Sequence, residues 1–206
     1  MKKLIKLSFL LVISGFLISS KIIPPGGYKA GDTARDFKLK NVNGKMVSLS
    51  DYKDAKGFIV VFTCNHCPFS QAYEQRIIDL DKKYAAKGYP VIAINSNDKN
   101  AEPEDSYDNM VARAKEKAYP FPYLYDDSQE IATAYGAART PHVFVLQKSS
   151  KGNIVKYIGA IDDNTDNPEV ATKHYVEDAV NELLSGKEVS VPTTKAIGCT
   201  IKWRKA

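Results

Sequence analysis

Residues 57–63, Gly-Phe-Ile-Val-Val-Phe-Thr, are apolar or β-branched almost without a break, and Cys64-Asn65-His66-Cys67-Pro68 follows with no spacer. Apolar side chains at consecutive rather than alternate positions predict a strand buried on both faces. After the cysteines, Phe69, Tyr73, Ile77, Leu80 and Tyr84 recur at steps of three and four, the mark of one apolar helical face, and Gly88 stops it. Pro90 to Asn95 is a second buried strand. Strand, Cys-x-x-Cys, helix and strand in this order predict two parallel strands joined by a helical crossover.

The flanking chain fits around that unit. Phe37 and Leu39 alternate with polar residues, Asn43-Gly44 supplies a turn, and Met46 to Leu49 returns, which predicts a hairpin. Tyr107, Met110, Val111, Ala114 and Ala118 mark a second helix. Phe121 to Tyr125 is a short strand, and Asp127 with Glu130 resembles a capping box for a helix through Tyr135. Thr140-Pro141 leads into a strand at His142 to Leu146. A turn at Gly152-Asn153 brings Ile154 to Ile158 back antiparallel, and a last helix is expected over Pro168 to Leu184. The fold class is therefore α/β, a mixed central sheet with helices on both faces, an N-terminal hairpin and a C-terminal tail. The expected domain covers residues 28–186, with 187–206 as an extension.

Residues 1–20 read as a signal peptide or N-terminal anchor. Lys2, Lys3 and Lys6 form a basic start, and the apolar run from Leu7 to Ser19 is short for a bilayer span of about 20 residues. An exported domain, periplasmic or otherwise extracytoplasmic, is expected, with membrane attachment only through that segment if it is retained. Removing those three lysines takes the formal net charge from +5 to two positive charges. That is too small to argue for a nucleic-acid partner.

The three cysteines, Cys64, Cys67 and Cys199, are not an even, scattered disulfide framework. Two are three residues apart and one stands alone near the end, a working pair and a separate thiol. At a helix start, free N–H groups and about half a positive charge favour a thiolate, the attacking species in disulfide exchange. On this reasoning Cys64 is the exposed nucleophile and Cys67, one turn in, the resolving thiol. Asn65 and His66 lie between them. A protonated His66 would further favour the thiolate and make the disulfide more oxidising than thioredoxin's roughly −270 mV. Structural zinc needs four ligands, and neither a second Cys-x-x-Cys nor a His pair accompanies this one. No metal or other cofactor is expected. Pro141 at a strand entrance removes a ladder donor, for which a cis Thr140-Pro141 bond would be a reason. The Thr140 backbone would then be free to pair with an extended substrate. Cys199 is either a third redox thiol or a small buried residue beside Trp203.

These motifs together resemble the thioredoxin superfamily. Phe37-Lys38-Leu39 through Gly44 and Ser48-Leu49-Ser50-Asp51-Tyr52 look like its redoxin, AhpC/TSA branch, with TlpA-like thiol-disulfide oxidoreductases as relatives. Phe62-Thr63-Cys64-Asn65-His66-Cys67-Pro68, Ile161-Asp162-Asp163-Asn164 and Gly198-Cys199-Thr200-Ile201-Lys202-Trp203 look like a peroxiredoxin-like group that carries a Cys-x-x-Cys. The resemblance implies a thioredoxin-like three-layer fold with Pro141 as a cis-proline facing the cysteines. It also implies that Cys67 sits where peroxiredoxins hold their peroxide-reducing sulfur. The peroxiredoxin pattern Pro-x-x-x-Thr-x-x-Cys is not kept, since Val60 and Cys64 stand where Pro and Thr would be, and only Arg139 is near the place of the expected arginine. TlpA-like reductases often carry an acid after the second core strand, and Asp98 is the counterpart here.

Three functions follow. The first is an extracytoplasmic thiol-disulfide oxidoreductase using the Cys64/Cys67 dithiol on protein thiols, disulfides or a redox partner protein. The second is an antioxidant thiol peroxidase acting on peroxides through Cys67. The third is a Cu(I)-binding redox module built from Cys64, His66 and Cys67.

Overall fold

The computed structural model describes residues 26–205, so the basic and apolar N-terminal segment lies outside the described residues. The strands are β1 (Thr33–Ala34), β2 (Lys38–Asn41), β3 (Met46–Ser48), β4 (Gly57–Phe62), β5 (Val91–Asn95), β6 (Tyr123–Tyr125), β7 (Arg139–Thr140), β8 (His142–Ser149), β9 (Gly152–Gly159) and β10 (Cys199–Thr200). The α-helices are α1 (Pro68–Tyr84), α2 (Tyr107–Glu116), α3 (Glu130–Tyr135) and α4 (Tyr175–Leu184).

Every residue of β4 and β5 is buried, as their unbroken apolar runs require. The two strands pair in parallel, Ile59 opposite Val91 and Phe62 opposite Ile94, with α1 making the crossover. β6 continues the parallel set beside β5, and β8 closes antiparallel on the other side of β4. Among the described residues the sheet runs β1-β9-β8-β4-β5-β6-β2-β3, a mixed central sheet of eight strands, and β7 with β10 form a separate two-stranded sheet.

Successive side chains of β4 point to opposite faces. Ile59 and Val61 join Tyr73, Ile77, Leu80 and Tyr84 of α1, Met110 of α2 and Val176, Ala179, Val180 and Leu183 of α4. Phe58, Val60 and Phe62 join Ile131, Ala132 and Tyr135 of α3, together with Phe37 and Leu49 from the hairpin side. Helices thus cover both faces, the three-layer thioredoxin-like arrangement, and the carboxyl end of β4 delivers Cys64 to the rim between the layers.

Three local expectations are corrected. Asp127 and Glu130 do not make a capping box. Gln129, in the left-handed region (φ 61°), turns the chain, and Asp126 accepts from Ala132 N at 2.9 Å. The helix expected over Pro168 to Leu184 is interrupted. A single 3₁₀ turn covers Pro168–Val170, and α4 begins only at Tyr175. Asp163 causes the break: its carboxylate accepts from the backbone N–H (2.9 Å) and hydroxyl (2.7 Å) of Thr172, while its own N–H donates to the Lys173 carbonyl. The tail also does more than trail. Residues 192–194 bond to Ile158, and Ile201 is buried in the core under β4.

Candidate functional site: three cysteines around Thr140

The first correction at the site concerns where the helix begins. α1 starts at Pro68, whose missing N–H costs nothing at a first helical position, and Cys67 is its N-cap, the Cys67 carbonyl accepting the first helical bond from Gln71. The helix N-terminus therefore belongs to Cys67. Cys64 lies three residues earlier, in the loop leaving β4.

Cys67 forms a disulfide with Cys199, 132 residues away in sequence, with 6.1 Å between the Cα atoms. Cys199 is thus covalently joined to the second cysteine of the Cys-x-x-Cys. Cys64 is the one free cysteine. Both members of the Cys-x-x-Cys meet Thr140: Cys64 Sγ lies 3.2 Å from Thr140 Oγ1, and Cys67 Sγ lies 3.3 Å from the Thr140 carbonyl oxygen. The Thr140-Pro141 bond is cis. The free edge of Thr140 is taken by the tail, with Cys199 opposite Thr140 and Thr200 opposite Arg139 in antiparallel register. The place expected for a substrate strand holds the protein's own residues 199–200.

The second correction concerns Cys64 itself, which is 6% exposed rather than an open nucleophile. Burial pushes its thiol up to about 11, and the nearby Asp105 carboxylate pushes in the same direction; the Thr140 hydroxyl opposes both. Cys64 is a neutral thiol at neutral pH. In this environment Cys64 has no physical basis for a strongly stabilised thiolate.

Asp105 is the residue that sequence reasoning missed. It is fully buried and accepts from the backbone N–H of Asn65 at 2.6 Å, from Asn97 Nδ2 at 2.6 Å and from His66, whose Nδ1 lies 2.6 Å away. It fixes the loop that carries the cysteines. Asn65 adds bonds from its side chain to the Glu104 carbonyl and from the Tyr123 hydroxyl. Asp105 ends a polar stretch in the sequence, and no local pattern there marks a carboxylate that reaches back forty residues.

His66 faces acids on both sides, Asp105 at Nδ1 and Glu102 at Nε2 (3.4 Å). Cys64 Sγ, a His66 ring nitrogen and an Asp105 oxygen lie within 4.8 Å of one another, the set best placed among the described residues to meet a cation. The Asp105 and His66 atoms are already bonded to each other, and Cys67, the third member of the copper set considered above, is bonded to Cys199. Asp98 sits elsewhere: its N–H donates to the Lys202 carbonyl and its carboxylate lies 3.8 Å from Arg204 Nε, so it faces the tail and not Cys67. Arg139 spends its guanidinium on the Gly198 carbonyl at 2.8 Å.

Residues 30–157 match the AhpC/TSA family model, a span that includes Cys64, Cys67, Thr140 and Pro141 but not Cys199. Thiol-disulfide oxidoreductase ResA of Geobacillus thermodenitrificans is 27% identical over 124 residues, 59% of this chain and 65% of the relative. ResA of Bacillus subtilis is 25% identical over 128 residues, 62% of this chain and 66% of the relative. The match thus spans just under two thirds of these curated relatives. An uncharacterized conserved protein from Geobacillus kaustophilus superposes with a TM-score of 0.79 at 37% identity, covering 90% of this chain and 95% of that one. A hypothetical protein from Sinorhizobium meliloti 1021 gives 0.80 at 36%, covering 87% and 97%. The family model covers more than half of the chain and spans the helix N-terminus, the cysteine pair and the proline loop, so the chain belongs to the AhpC/TSA family, on a thioredoxin-like fold.

Proposed function

We propose that this protein is an extracytoplasmic thiol-disulfide oxidoreductase in which Cys67 is the exchanging sulfur and Cys64 its buried resolving partner. One observation carries the reading: Cys67 is the N-cap of α1 and is bonded to a cysteine held in antiparallel pairing beside Pro141. That is the geometry of a mixed disulfide between an enzyme sulfur and an extended substrate strand. The likeness to ResA, named a thiol-disulfide oxidoreductase, supports the same chemistry.

In the reducing direction, a Cys67 thiolate at the helix N-terminus attacks a substrate disulfide. One Cys67–substrate bond forms and one substrate thiolate leaves. Cys64 then loses its proton and attacks Cys67, closing the Cys64–Cys67 disulfide and releasing the second substrate thiol. Two electrons pass from the dithiol to the substrate. The neutral Cys64 delays closure until its proton is lost, which gives the mixed disulfide a lifetime. Export is supported by the basic and apolar N-terminal segment and by a disulfide closing a 132-residue separation, a bond suited to an oxidising compartment. Protein thiols or a redox partner protein are the substrates that fit.

Peroxide reduction is the second reading. Cys67 at a helix N-terminus with a distant cysteine partner is an arrangement that could turn over peroxide, with Cys199 capturing the oxidised sulfur. The absence of a threonine three residues earlier and the engagement of Arg139 with Gly198 count against it. Parallel kinetics with a protein disulfide and with hydrogen peroxide, on wild type, Cys64→Ser and Cys67→Ser, decide. Disulfide exchange lost in Cys67→Ser, with negligible peroxide turnover in wild type, is the expected result. Fast peroxide consumption that survives Cys64→Ser would install the peroxidase instead.

A further inference from the structure

The tail segment at the site has features that a mere strap does not need. Gly198, directly before Cys199, lies so close to Thr140 that a Cβ there would overlap the Thr140 carbonyl. Its own carbonyl receives Arg139 Nη1 at 2.8 Å. Cys199 faces Cys67, and Thr200, opposite Arg139, is exposed. Ile201 is 3% exposed and donates its N–H to the Ala138 carbonyl at 3.2 Å. In four residues the β7 edge reads a position with no side chain, a cysteine, an outward residue and a buried aliphatic.

The segment is anchored on both sides. Residues 192–194 are bonded to β9, and Lys202 and Arg204 to Asn97, Asp98 and Gln129, which keeps the tail attached. Between these anchors the chain is exposed or half-buried up to Ile201.

Resting on the reading of Cys67 as the exchanging sulfur, we propose that residues 198–201 are a tethered substrate mimic. The β7 edge beside Cys67 is a binding site for extended protein segments of the form Gly-Cys-x-aliphatic, and the tail occupies it until the Cys67–Cys199 bond is broken. Opening needs no outside electrons. Cys64 gives up its proton and attacks Cys67, the Cys64–Cys67 bond forms, the Cys67–Cys199 bond breaks, and Cys199 leaves as a thiolate that takes up a proton. While that bond stands the edge is closed to free segments, and once it is broken they compete with a tethered occupant at an effective concentration of about millimolar.

The test uses the full-length Cys64→Ser/Cys199→Ser protein with Cys67 carrying a thionitrobenzoate leaving group. Its release is followed on adding the peptide Ile-Gly-Cys-Thr-Ile-Lys, or versions with alanine for the glycine or aspartate for the second isoleucine. Each rate is normalised to that peptide's reaction with the free aromatic disulfide. The parent peptide should react at least fivefold faster than either altered one; a smaller difference overturns the proposal. In the otherwise wild-type chain, Gly198→Ala should lower the equilibrium constant of the Cys67–Cys199 disulfide against glutathione at least fivefold, and an unchanged constant also overturns it. Reduction of a protein disulfide by the reduced wild-type protein reports separately on the underlying reading. If that activity is absent the exchange function fails, whereas activity without peptide discrimination sinks the substrate mimic alone.

Discussion

Alkylation of Cys64 across pH isolates the one thiol that the Cys67–Cys199 bond leaves free. Its folded value of about 11, against an ordinary 9.0, leaves a thiolate fraction at pH 7 of about 10⁻⁴ instead of about 10⁻², since each unit is tenfold. Burial is the larger cause and the Asp105 charge the second. Iodoacetamide trapping of the oxidised protein, read by mass spectrometry, should therefore be about a hundredfold slower at pH 7 than for a thiol of ordinary acidity. The rate should rise with an inflection near 11. Asp105→Asn should move the inflection downward while leaving it above 9, because burial persists. The same shift has a stability consequence. The folded state keeps the Cys64 proton that the unfolded chain releases, so about 3 kcal/mol is fully present below pH 9 and is lost as pH rises through 11. An inflection at or below pH 9 in the native protein would refute this account of Cys64.

His142 gives the mirror case on the acid side. Burial lowers it to about 4, so its neutral form stabilises the fold above about pH 6.5 and that contribution is lost as pH falls through 4. Allowing for its partial exposure, chemical denaturation of wild type should lose about 2 kcal/mol across this window relative to His142→Gln; equal pH slopes would contradict it. Arg76 holds the buried Asp162 at 2.6 Å and also donates to the Asn164 and Thr165 carbonyls, so Arg76→Met strands a carboxylate and should cost about 3 kcal/mol by urea titration. Chain entropy for a separation of 132 residues sets the effect of reducing Cys67–Cys199 at up to about 5 kcal/mol, to be read as a fall in the urea midpoint with reductant. No fall would mean that the tail is held by its other contacts alone.

The parts of the molecule governed by local pattern were legible from the chain. Consecutive apolar residues predicted β4 and β5 as doubly buried strands, helical spacing predicted α1, and Asn43-Gly44 predicted the β2–β3 hairpin, whose residues pair in antiparallel register. Thr140-Pro141 was recognisable as a special bond. What escaped was set by tertiary contact. Asp163 breaks the start of α4 through bonds to Thr172 and Lys173, and Asp126, not its neighbour Asp127, caps α3. At the site, the motif identified the cysteines but not their division. A three-residue difference in where α1 begins gives the helix N-terminus to Cys67, and burial together with the nearby Asp105 charge leaves Cys64 a neutral thiol. The pairing of Cys199 with Cys67 depends on where a 20-residue tail returns, which no spacing encodes.

Trapping the intermediate shows which sulfur carries the substrate. Reduced Cys64→Ser and Cys67→Ser proteins and their parent, all carrying Cys199→Ser so that the tail can neither resolve nor capture the bond, would be mixed with a disulfide-bonded protein substrate, quenched with acid, and mapped by peptide mass. Cys64→Ser should accumulate a mixed disulfide on Cys67, and Cys67→Ser should form none. A substrate disulfide mapped to Cys64, formed readily in Cys67→Ser, would contradict this.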